Sequence, residues 1–168
     1  MKTESPEQTA ATMPTPTSVS SFVHPTNILV PLDFSEISLK ALQYAVPFAR
    51  QYGAKLTLVH VVDLPLYVES PIPTRFGPEE IAEIKKRVAD TCAPRIPEEL
   101  TVETVIRQGG VFETILEVAR ETSANLIITT THGRTGLSHL VLGSTAEDLV
   151  RRADCPVLVI HEREREFV

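Results

Sequence analysis

The chain is poor in the residues that hold metals and nucleic acids. It has two cysteines, Cys92 and Cys155, which form no metal-spaced cluster. They read as small buried or half-buried thiols of a reducing compartment. His24, His139 and His161 are scattered, so a histidine metal site is not expected. Positive charge is also scarce, with 16 Lys and Arg against 22 Asp and Glu and a net charge of −6. The runs that carry Lys and Arg, at 83–87 and 162–166, carry acids as well. Phosphate backbones recruit clustered cations, so general nucleic-acid binding is excluded. No apolar stretch reaches the roughly 18 residues that a membrane span needs. The first residues also lack the apolar core of a secretory signal. The expected compartment is the cytoplasm, with neither nucleic acid nor membrane as a partner. There is no Gly-x4-Gly-Lys-Ser/Thr loop, so the usual lysine for β- and γ-phosphates is missing.

What remains is an ordinary soluble composition, 42% hydrophobic and 23% charged, in a length that favours one domain with a proper core. Residues 1–26 are rich in Ser, Thr and Pro and have few apolar anchors. Such a segment buries too little surface to offset its ordering entropy and reads as a flexible tail. Residues 27–161 read as the domain, and 162–168 as a charged C-terminal tail.

Within the domain, strand and helix patterns alternate. Apolar runs at 28–32, 56–62, 101–107, 126–130 and 156–160 suit strands buried on both faces. Between the first two, Leu39, Leu42, Ala45, Val46, Ala49 and Tyr52 recur at helical spacing. Ser35 is placed to cap this helix, Glu36 falls in its first turn and Gly53 ends it. Pro47 lies inside and is expected to bend it. Further helices are expected at residues 79 to about 93, after Gly109 and Gly110, and at 144–152. The segment 63–78 contains Pro65, Pro71, Pro73 and Pro78 and reads as a long irregular connection of the kind that is often functional. This alternation implies a parallel sheet with helices on both faces.

One stretch, 129–145, is the most informative. An apolar strand runs into a glycine-bearing loop, and a helix begins at Gly143, Ser144 and Thr145. A helix start has unpaired N–H groups and a partial positive charge, and glycine lets the backbone approach a ligand. Together they can hold an anion such as a phosphate. The alternative is a loop whose glycines only turn the chain and whose Ser144 only caps a helix. In doubly wound sheets ligands lie beyond the carboxyl ends of the strands where the order reverses. If the first and fourth strands are neighbours, Asp33 and the glycine loop face one crevice.

Four segments together resemble the universal stress protein family: ILVPLDFS at 28–35, LVHVV at 58–62, HGRTG at 132–136 through GST at 143–145, and CPVLV at 155–159. The resemblance implies an α/β, Rossmann-like fold with an open five-stranded parallel sheet of order 3-2-1-4-5. It also implies a homodimer paired through the last strand, Val157–Ile160. The nucleotide-binding members resemble Gly-x2-Gly-x9-Gly-Ser/Thr. Here the second and third glycines fall on Gly133 and Gly143, followed by Ser144, while the first position holds Thr130. A threonine there either narrows the pocket or supplies a hydroxyl to phosphate or ribose.

By the same resemblance, Asp33 contacts the adenosine part through ribose hydroxyls, its other role being to cap the next helix. Pro31 and Val61 line an adenine pocket, although Val61 equally suits strand core. Ser144 and Thr145 offer hydroxyls and N–H groups to phosphates. Arg134 either screens phosphate charge or faces solvent, and His132 is a loop residue without a fixed titratable neighbour. His60, inside a strand, reads as a satisfied interior histidine. The implied ligand is ATP or AMP, with Mg²⁺ accompanying ATP. Two alternatives stand beside this nucleotide-binding stress or signalling module. One is a slow ATPase; the other is a nucleotide-free dimeric interaction module.

Overall fold

The computed structural model describes residues 24–63, 76–131 and 143–161. The proposed tails, apart from residues 24–26, and most of the 63–78 connection lie outside the described residues. The elements are β1 (Asn27–Pro31), α1 (Glu36–Tyr52), β2 (Lys55–Val62), α2 (Pro78–Cys92), a single 3-10 turn (Ala93–Arg95), β3 (Val102–Gln108), α3 (Val111–Glu121), β4 (Leu126–Thr130), α4 (Ser144–Arg152) and β5 (Val157–Ile160). All five strands are parallel, in the order β3-β2-β1-β4-β5.

Because side chains alternate across a strand, β1 feeds two cores. Ile28 and Val30 pack with Leu39, Leu42, Ala45 and Ala49 of α1 and with Val88 and Cys92 of α2. Leu29 packs on the other face with Val59, Ile115 and Val118 of α3, and Leu149 of α4. Each fully buried Ile, Leu or Val of this kind contributes about 1.5–3 kcal/mol. Two-sided burial therefore makes β1 and β4 the anchors of the molecule.

Local chemistry sets the helix ends. Ser35 accepts from the Ser38 N–H, and Gly53 closes α1 with a left-handed φ of 64°. The helix runs unbroken through Pro47, which is exposed, as is Gln43 one turn earlier, so the carbonyl that loses its donor faces water. At α2 the Glu80 carboxylate turns back to the Gly77 N–H. Buried Asn27 ties the middle of the fold together. Its amide donates to Thr122 O at 2.8 Å and accepts from Thr57 Oγ1 at 2.8 Å. Residues 24–26 join this network, since Asn125 accepts from the Thr26 N–H and donates to His24 O.

Candidate functional site

The site starts with a missing hydrogen. Leu32 sends its N–H to Val59 O of β2 at 2.8 Å, so the nitrogen of the preceding residue faces β4. That residue is Pro31, which has no N–H to give. The β1–β4 ladder accordingly stops at Leu29↔Ile127, although Val30 and Pro31 remain paired with Leu58 and Val59. On the other side, Ile128 to Thr130 stay paired with β5. The two central strands thus part at their carboxyl ends, at the point where the strand order reverses.

Asp33 stands on one lip of this opening. Its Oδ1 accepts from the Ser35 N–H at 3.0 Å and from the Ser35 hydroxyl at 2.6 Å. The same hydroxyl accepts from the Ser38 N–H at 3.1 Å, so the cap of α1 and the orientation of the carboxylate are one chain of bonds. Both roles weighed for Asp33 are thereby compatible, because the bond that steadies the cap also aims the carboxylate. Phe34 between them has a φ of 65°, an unfavourable conformation for a non-glycine residue. Its ring has two close neighbours. His60 lies 4.5 Å away, tilted by 52°, and the Arg87 guanidinium sits 4.3 Å above the ring centroid. The His60 Nδ1 is 2.7 Å from Leu32 O. A carbonyl can only accept, so this nitrogen carries the proton. His60 is therefore the satisfied, half-buried residue that its strand position suggested. Asp33, Phe34, Ser35 and Arg87 line an open hollow of about 210 Å³.

The other lip is the start of α4. Gly143 donates to Thr131 O at 2.7 Å, and Thr131 donates to Ile160 O at 3.0 Å, so the helix start is pinned to the end of β4. The first intrahelical bond runs from Glu147 N–H to Gly143 O. The N–H groups of Ser144, Thr145 and Ala146 therefore have no partner inside the helix. Gly143 offers no side-chain cap. Ser144 is exposed and Thr145 half-buried. This amino end carries the positive pole of the helix.

Pro31 and Val61 are half-buried, and register and alternation put them on the face of Leu29 and Val59. Thr130 is 8% exposed and pairs with Ile160, which places its side chain on the α1 face with Ile128. His132, Gly133 and Arg134 lie outside the described residues. Among the described residues no cluster of three His, Cys, Asp or Glu could hold a metal ion, and no helix is long and apolar enough to cross a membrane. Cys92 is buried and its thiol is raised to about 11 by desolvation, against a smaller opposing pull from Arg95. Half-buried Cys155 is also raised, first by desolvation and then by Asp154. Both are held in the protonated thiol form at neutral pH.

Sequence reasoning did not find Arg87, which sits on α2 far from any motif. It also missed the second role of Ser35, seen there only as a cap. The one signal available for the latter was the Asp-x-Ser spacing, which suits a local turn held by the aspartate side chain.

A doubly wound sheet with a carboxylate at the end of one central strand and a helix start after its neighbour defines the Rossmann-like α/β class. The sequence model of the universal stress protein family matches residues 25–161, and the chain belongs to that family. It is 32% identical over 144 residues to the universal stress protein MJ0531 of Methanocaldococcus jannaschii, covering 83% of this chain and 84% of that protein. Its fold matches universal stress protein UspA from Lactobacillus plantarum with a TM-score of 0.69 and 29% identity, covering 80% of this chain and 97% of that one. At 23% identity and a TM-score of 0.59 it also shares the fold of the universal stress protein from Archaeoglobus fulgidus in complex with dAMP, covering 80% of this chain and 97% of that chain.

Proposed function

We propose that the chain binds an adenine nucleotide, ATP or AMP, across the carboxyl edge of the sheet and works as a stress-response or signalling module. The observation that carries this is the end of β1–β4 pairing at Leu29↔Ile127, with an oriented carboxylate following β1 and, after β4, a helix start whose first N–H groups have no partner inside the helix. In this reading Asp33 accepts from ribose hydroxyls. Pro31 and Val61 support the base with apolar surface. The N–H groups of Ser144, Thr145 and Ala146 and the hydroxyls of Ser144 and Thr145 receive the phosphates, and Gly143 leaves room for their approach. His132, Gly133 and Arg134, which follow Thr131 in sequence, are assigned to the same phosphates by the family motif alone. Mg²⁺ enters with ATP, held by the phosphates. The sequence has no phosphate-binding lysine motif, so in this reading hydrolysis is at most slow. The test is calorimetric titration of purified protein with AMP and with ATP, with and without Mg²⁺. Saturable binding below about 1 mM is expected, and Gly143→Val should abolish it. Absence of binding at millimolar nucleotide overturns the reading.

The second proposal concerns assembly and cytoplasmic residence. Both β3 and β5 are edge strands, but they are protected differently. β3 carries the charged Glu103 and Arg107, which pair with Lys55 of β2 and Glu121 of α3. β5 is an uncharged run of Val157, Leu158, Val159 and Ile160, of which the first three are half-buried. Uncharged edges invite pairing with a second copy. Sedimentation at micromolar concentration should give a dimer, and Val159→Lys should give a monomer; a wild-type monomer contradicts this.

A further inference from the structure

Every described arginine but one stands within 4.0 Å of a carboxylate: Arg50, Arg95, Arg107, Arg120, Arg151 and Arg152. Arg87 has no such partner among the described residues. Its guanidinium lies over the Phe34 ring instead, on the wall of the hollow that Asp33 and Ser35 also line. Stacking on an aromatic face holds a guanidinium in place without neutralising it. The cation is therefore oriented, exposed and available to an anion.

We propose that Arg87 forms a second phosphate subsite, for a phosphate carried on the ribose 2′ or 3′ oxygen of an adenosine nucleotide. The inference rests on the nucleotide reading above and adds the class of ligand. α4 packs on α3 and β5, whereas α2 packs on β3, so Arg87 and the α4 amino end flank the crevice from opposite wings. The phosphate that Arg87 receives is thus not the one that the α4 amino end receives. Asp33 stands between them, at the position assigned to ribose, so the group nearest Arg87 is the hydroxyl edge of the sugar. In doubly wound folds a carboxylate alone favours unmodified ribose hydroxyls, and a neighbouring arginine accommodates a phosphate there. The two donors from Ser35 to Asp33 Oδ1 reduce the repulsion such a phosphate meets. The planar fork of Arg87 then matches two phosphate oxygens.

The test is calorimetric titration of the full chain with adenosine 5′-monophosphate, adenosine 3′,5′-bisphosphate and adenosine 2′,5′-bisphosphate. The wild-type protein should bind one of the bisphosphates about tenfold or more tightly than the monophosphate, and the bisphosphate preferred identifies the ribose position. Arg87→Gln should erase that preference and leave monophosphate binding within about twofold, and Arg87→Lys should keep part of it. Arg87 is exposed and loses only its ring stacking, so both variants should unfold within about 4 °C of wild type. Monophosphate binding without any preference for a bisphosphate overturns this inference alone. So does an equal loss of all three ligands in Arg87→Gln. Failure of all three ligands to bind the wild-type protein overturns the nucleotide reading as well.

Discussion

Ser35 joins stability to the site, and its removal should be felt in both. Ser35→Ala deletes the oxygen that accepts from the Ser38 N–H at 3.1 Å and donates to Asp33 Oδ1 at 2.6 Å. Loss of an N-cap side chain costs about 1 kcal/mol. Loss of a charge-assisted bond costs more when dry, but Asp33 is half-buried and water replaces part of it, leaving about 1 kcal/mol. The sum, about 2 kcal/mol, should lower the thermal midpoint by about 4–8 °C for a chain of this size. With the carboxylate no longer aimed, AMP affinity should fall about threefold to tenfold. Ser35→Asn separates the two effects, because asparagine caps as well as serine but does not reproduce the hydroxyl bond. It should recover about half of the lost stability and none of the lost affinity. Urea unfolding paired with calorimetry reads both quantities. A Ser35→Ala protein within about 0.3 kcal/mol of wild type refutes the reasoning, and so does an asparagine variant no more stable than the alanine one.

Asn27→Leu should destabilise by about 2–4 kcal/mol in denaturant unfolding, because it strands the Thr57 hydroxyl at 0% exposure and the Thr122 carbonyl; adding Thr57→Val should restore part of the loss. Thr130→Gly should cost about 1–2 kcal/mol yet change AMP affinity less than about threefold, since its side chain lies on the α1 face with Ile128 and Ile160; titration of the variant checks this. Gly109→Ala should destabilise by about 1–3 kcal/mol in the same unfolding assay, as its φ is 148° and a Cβ would meet Thr114 Oγ1 at 2.8 Å. A thiol reagent at pH 8 should label half-buried Cys155 well before Cys92; linkage adds that the Cys92 contribution to stability is present below the unfolded pKa of 9.0 and is lost as pH rises towards about 11.

The alternation of elements was legible because each buried strand is a short apolar run and each helix carries an apolar stripe. The run at 28–32 announces a strand buried twice over, and Leu39 to Ala49 announce the face that covers it. The strand order was not readable from periodicity; it came from family resemblance, and the register bears it out. At the site, the Asp-x-Ser turn and the glycine-led helix start were visible as local signals. The direction in which Pro31 lacks its donor was not, because it depends on which neighbour Leu32 bonds. Arg87 was invisible for a similar reason. Only the packing of α2 against the sheet brings it over Phe34, and no spacing between positions 34 and 87 encodes that.

The central claim is that one ligand bridges Asp33 and the amino end of α4. Its most direct test is amide-resolved NMR of the labelled protein during titration with AMP. The account predicts that the amides of Asp33, Phe34 and Ser35 shift together with those of Ser144, Thr145 and Ala146, along one saturating curve. Shifts confined to the opposite edge of the sheet, around the hollow lined by Leu116, Arg120, Ala153 and Cys155, would contradict it.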